Sequence, residues 1–94
     1  MAGKATLSHR PDLSRFEVHL GDELAGYAEY SERGKVRDFN HTLTLPQFRG
    51  HGVAAQVVEY ALNSSRADGF KVVPTCWYVE QFISSNPQYA DLVG

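Results

Sequence analysis

The chain has 94 residues, 43% hydrophobic, 12% aromatic and 21% charged, which is the composition of one compact soluble domain over 1–94; domains of roughly 100–200 residues leave no room for a second. Nine Lys and Arg against eleven Asp and Glu give a net charge of -2 and a pI near 6.0, which argues against a nucleic-acid binder with its basic stripe, and no apolar run approaches the ~18 residues of a membrane helix. One cysteine, Cys76, excludes an internal disulfide framework and any multi-cysteine zinc site.

The segment Met1 to Phe16 carries Lys4, His9, Arg10, Asp12 and Arg15 and lacks the apolar core of a secretion signal, so a cytoplasmic protein is expected. Ala5 to Ser8 is a short, weak strand followed by a turn at His9-Arg10-Pro11-Asp12. Arg15 to Leu20 alternates, with Phe16, Val18 and Leu20 on one face and Glu17 and His19 on the other. Gly21-Asp22 makes a hairpin to a strand from Glu23 to Ser31 that places Leu24, Gly26, Ala28 and Tyr30 on one face. The charged run Glu32-Arg33-Gly34-Lys35-Val36-Arg37-Asp38 reads as a solvated turn.

Val36 to Leu45 is the longest strand pattern. Phe39, His41, Leu43 and Leu45 share one face, and Asp38, Asn40, Thr42 and Thr44 share the other. Pro46 stops the strand because it has no amide to donate. The period then changes: Val53, Ala54, Val57, Val58, Ala61 and Leu62 recur at three and four residues, which predicts an amphipathic helix of roughly four turns that stops at Asp68-Gly69. Phe70 to Val73 is a short strand, so this strand–helix–strand order predicts one parallel pairing in an otherwise antiparallel sheet. A second helix runs from Tyr78 to Ser85, and Tyr89, Leu92 and Val93 of the tail pack back on the core. The fold class is α/β (α+β) with two main helices.

Chemistry concentrates in Gln47-Phe48-Arg49-Gly50-His51-Gly52-Val53-Ala54, where a strand ends, a glycine-bearing loop turns and a helix begins. The first amides of a helix have no internal partners and carry partial positive charge, and Gly50 and Gly52 admit close approach of a ligand. Such a loop suits phosphate or pyrophosphate. No lysine follows Gly52, so a nucleotide P-loop is excluded. A dinucleotide fingerprint formally fits Gly50-x-Gly52-x-x-Ala55, but Lys71-Val72-Val73-Pro74 offers no acid for the ribose.

Gln47-x-x-Gly50-x-Gly52-Val53-Ala54 resembles the Q/R-x-x-G-x-G/A signature of the GCN5-related N-acetyltransferases. Asn40-His41-Thr42, Arg49-Gly50-His51-Gly52-Val53-Ala54 and Val72-Val73-Pro74-Thr75-Cys76 stand in the order of the small, single-domain members of that family, and Tyr78-Val79-Glu80-Gln81-Phe82-Ile83 with Asn86-Pro87-Gln88-Tyr89 fits as well. The resemblance implies a trimmed acetyltransferase fold that uses acetyl-CoA and passes acetyl to an amine, of a small molecule or a protein. The pyrophosphate of coenzyme A would rest on the amides of Phe48, Arg49, Gly50, His51, Gly52, Val53 and Ala54, after Gln47. The pantetheine arm would run beside the strand that holds Leu43 and Leu45. The alternative is a module that binds or senses acyl-CoA without efficient turnover.

The resemblance also singles out Cys76 as the active-site cysteine; a free cysteine is otherwise a small buried hydrophobe. His41, with a reference pKa near 6.5, suits a general base, against the reading of a core histidine. Larger relatives place a glutamate base on this strand, where this chain offers only Asp38. Tyr78 is either an acid for the leaving thiolate or a packed aromatic. Histidines 9, 19, 41 and 51 lack ligand spacing, so no metal is expected.

Overall fold

The computed structural model describes residues 4–94, so the first three positions of the segment 1–16 lie outside the described residues. Five strands, β1 (Ala5–Arg10), β2 (Arg15–Leu20), β3 (Glu23–Arg33), β4 (Val36–Thr44) and β5 (Lys71–Val73), lie side by side in sequence order. The first three pairings are antiparallel and the fourth, β4 with β5, is parallel. Helix α1 (Val53–Ala67) is the crossover between β4 and β5, and α2 (Trp77–Ser85) follows β5. This is the mixed α/β architecture that the change of period predicts.

Helix α1 crosses one face of the sheet and touches all five strands, while α2 packs on β4 and α1. The stripe Val53, Val57, Val58, Ala61 and Leu62 is buried against Phe16, Val18, Ala28, Phe39 and Val72. Full burial of each larger aliphatic side chain contributes about 1.5–3 kcal/mol. Tyr89 and Leu92 are buried as the tail reading expects. Val93 is 44% exposed instead, and bridges Val72 in parallel at the sheet's edge.

Strand β1 is longer than expected: it runs through Arg10 and pairs with β2 over six positions, with the His9 ring stacked on Phe16 at 4.0 Å. His9 and Arg10, read as the start of a turn, are held in the strand by this ladder. Two β-bulges change the faces. Between Val18 and His19 the register on β3 skips Ala25, which is fully buried while Leu24 stays half-buried. On β4 the register passes from Phe39 opposite Tyr30 to His41 opposite Glu29, so Asn40 is an extra residue. A bulge reverses the alternation beyond it. Phe39 therefore faces the core, and Thr42 and Thr44 follow it there. His41 and Leu43 turn to the other face, contrary to the face they were expected to share with Phe39.

Arg37 also departs from the solvated turn read for its segment. It is only 4% exposed, lies 3.9 Å from the Phe70 ring centre, donates to Ser65 Oγ at 3.1 Å and faces Glu32 and Asp68. A buried guanidinium is tolerated because these partners meet it.

Candidate functional site

After β4, the Leu45 amide donates to the Ala25 carbonyl at 2.8 Å, and the chain makes one 3-10 turn over Pro46–Phe48. Gly50 and Gly52 follow with φ of 85° and 70°. L-residues avoid this left-handed region, which explains glycine at both places. A Cβ at either would meet no other atom within 4 Å, so the space over this backbone is open.

Gly52 caps α1 and has no side chain to offer; the first helical bond runs from the Gln56 amide to the Gly52 carbonyl at 3.2 Å. The amides of Val53, Ala54 and Ala55 thus have no acceptor inside the helix. They border a cavity of about 220 Å³ lined by residues 48–50 and 52–55, by Thr44 of β4 and by Tyr78 of α2. The unbonded amides and the helix dipole make its floor attractive to an anion. Arg49 and His51 are exposed at the rim, with the His51 ring against Phe48 at 6.4 Å, and Gln47 is exposed.

Cys76 stands two residues before Tyr78, at the start of α2. It caps α2, its amide donates to the Phe39 carbonyl at 2.8 Å, and its carbonyl accepts from the Glu80 amide at 3.1 Å. The backbone is thereby pinned between β4 and α2. Its sulfur is 3.5 Å from Thr42 Oγ1. Burial pushes the thiol up, but the Thr42 hydroxyl and the amides of Val79, Tyr78 and Thr42 favour the thiolate and bring it below its ordinary value on balance. Tyr78, beside it, is held protonated because burial raises its phenol.

The structure thus gathers residues 48–50, 52–55, Thr44 and Tyr78 around one cavity, with Cys76 against Thr42, two residues along β4 from Thr44. It does not bring His41 to Cys76: His41 is exposed, lies against the Tyr27 ring at 6.2 Å and faces Glu29, on the face away from Thr42. Leu43 pairs with Tyr27 on that same face, and the Leu45 amide is committed to β3. On β4, Thr44 lines the cavity and Thr42 meets the Cys76 sulfur. Sequence reasoning missed both, since only the bulge at Asn40 turns them inward. Among the described residues no group of three or more His, Cys, Asp and Glu is placed to hold a metal ion.

Comparison with known proteins agrees with this fold. A family model described as GCN5-related N-acetyl-transferase matches residues 15–92. The chain is 32% identical to Protein NATD1 of Xenopus tropicalis over 84 residues, covering 86% of this chain and 76% of that one. It is 30% identical to Protein NATD1 of Danio rerio over 92 residues, covering 93% and 83%. Among solved structures, a GCN5-like protein of Staphylococcus aureus superposes with a TM-score of 0.70 at 13% identity, covering 97% of this chain and 87% of that one.

Proposed function

Because the chain belongs to the GCN5-related N-acetyltransferase family, we propose that it takes acetyl-CoA as donor and passes the acetyl group to an amine, directly or through Cys76. The observation that carries this reading is the cavity at the uncapped start of α1, whose wall includes Thr44 of β4 and Tyr78, close in the chain to the Thr42–Cys76 contact. The residues present fit the donor: the amides of Val53, Ala54 and Ala55 meet phosphate oxygens over the open backbone of Gly50 and Gly52, with Arg49 and His51 adding charge. Beyond Phe39 the edge of β4 is no longer covered by β5, which leaves the strand around Thr42 and Thr44 to receive the amide-bearing pantetheine arm.

When bound, acetyl-CoA supplies a thioester. In the route through the enzyme, the Cys76 thiolate, favoured by its four hydrogen-bond donors, attacks the thioester carbonyl, and the sulfur–acetyl bond to Cys76 forms as the bond to coenzyme A breaks. Tyr78, held protonated in the wall of that cavity, gives its proton to the departing thiolate. In the direct route the amine nitrogen attacks the same carbonyl, the bond to the coenzyme A sulfur breaks, the departing thiolate takes its proton from Tyr78, and Cys76 serves as wall. Intact mass after incubation with acetyl-CoA separates these routes. We expect one acetyl on the wild type and none on Cys76→Ala; an unmodified wild type with turnover intact overturns the covalent route.

The second reading, a module that binds or senses acyl-CoA without efficient turnover, draws support from His41. The base expected from the sequence lies on the other face of the sheet from Cys76.

A further inference from the structure

Helix α2 is seated on the core by Val79 and Ile83, which are buried, and by Tyr78 and Phe82, which pack beside them. Trp77, the first residue of the helix, lies off this stripe. It is the chain's single tryptophan and is 71% exposed, more than any other large hydrophobic side chain among the described residues. An indole left in water is a cost that a ligand can relieve.

The surroundings of Trp77 say which ligand. Its ring meets the Tyr78 ring edge to face, with centres 5.9 Å apart and planes at 83°. Tyr78 lines the cavity at the start of α1, together with Gly50, Gly52 and the first residues of that helix. The indole therefore stands against a wall of the cavity assigned above to the pyrophosphate. An edge-to-face contact covers at most one face of the indole, so a flat face stays free. The other aromatic residues at this cavity are engaged: Phe48 packs against the core and the His51 ring lies against Phe48.

Coenzyme A carries a thioester arm, a pyrophosphate and an adenine. The first two meet polar partners on β4 and at the start of α1. The adenine is tethered to the pyrophosphate through one ribose, so it comes to rest beside whatever borders the phosphate cavity. A purine is held without base-specific hydrogen bonds by an aromatic face. We propose that Trp77 is the adenine platform of the donor site, with the base of acetyl-CoA stacked on the free face of the indole. The assignment rests on the donor reading above and adds a residue that selects coenzyme A thioesters over the same acyl group on a bare phosphopantetheine arm.

The test titrates the full chain with acetyl-CoA and with S-acetyl phosphopantetheine, which keeps the thioester arm and a phosphate but lacks the adenosine. Amide NMR gives the affinities, and the fluorescence of the single tryptophan reports stacking. Acetyl-CoA is expected to quench the indole emission in a saturable way, and acetyl phosphopantetheine is not. Trp77→Ala weakens acetyl-CoA about tenfold and leaves acetyl phosphopantetheine within about twofold, while Trp77→Phe, which keeps an aromatic face, recovers most of the loss. The side chain is exposed, so the urea midpoint of both variants stays at that of the wild type. Equal weakening of the two ligands by Trp77→Ala, an acetyl-CoA affinity unchanged within about twofold, or quenching by both ligands overturns the platform and leaves the donor reading standing. Failure of both ligands to shift residues 48–55 of the wild type contradicts the donor reading, and the platform with it.

Discussion

Cys76 shows how a single residue acquires chemistry from its neighbours. Burial alone raises a thiol, and the same sulfur in an apolar pocket would be inert. Here the Thr42 hydroxyl and three backbone amides outweigh that effect. Removing the hydroxyl tips the balance: Thr42→Val is expected to raise the thiol, so the pH profile of Cys76 alkylation moves toward higher pH while the fold persists. An unmoved profile means the backbone amides alone set the thiolate. The resemblance pointed to Cys76 and carried Thr42 only within Asn40-His41-Thr42, with nothing to set its hydroxyl beside the sulfur. In the plain alternation Thr42 lies opposite Phe39, and one extra residue, Asn40, reverses that.

The same bulge explains which parts of the elements were legible. Helix α1 begins at Val53 and ends before Asp68-Gly69 as its period and stop signal predict, and the parallel pairing of β4 and β5 follows from the crossover. These features rest on patterns that repeat over many residues. Bulges do not: Phe39, His41, Leu43 and Leu45 keep period two in the sequence while the backbone breaks it, so His41 read as a cleft residue and is found against Tyr27. The end of strand β1, read as a turn from His9, was missed for the opposite reason, since its pairing with β2 is set by the partner rather than by its own polar composition. At this scale the start of α1 makes a paired prediction with its end. Gly52 and Gly69 have φ of 70° and 78°, and a Cβ at either meets nothing within 4 Å. Alanine at each is therefore expected to cost about 1–2 kcal/mol of stability through backbone strain, measured by urea unfolding. Only Gly52→Ala should also weaken acetyl-CoA, and equal losses of affinity in both variants would place the phosphate site elsewhere.

Across the whole molecule, the aromatic cluster that ties the sheet to the end of α1 also sets the response to acid. His9 Nε2 lies 2.7 Å from the Tyr30 hydroxyl, and the ring stacks on Phe16. Burial and then the Arg37 charge lower its pKa from 6.5, with Asp68 and Glu32 opposing more weakly. A pKa lowered by folding means that the native state favours the neutral ring. The contribution is present above the unfolded value of 6.5 and is lost as pH falls through it toward the folded value. Urea midpoints are expected to drop between about pH 7.5 and pH 5 more steeply for the wild type than for His9→Gln, and parallel curves would remove His9 from the acid response. The net charge of -2 gives the molecule no overall attraction for a phosphate-bearing donor; attraction comes from the oriented amides over Gly50 and Gly52, with Arg49 and His51 at the rim. Calorimetric titration of the intact chain with acetyl-CoA reads that attraction most directly. Saturable one-to-one binding, weakened in Gly52→Ala, is the expected result, and no binding heat at millimolar acetyl-CoA would contradict a donor site at the start of α1.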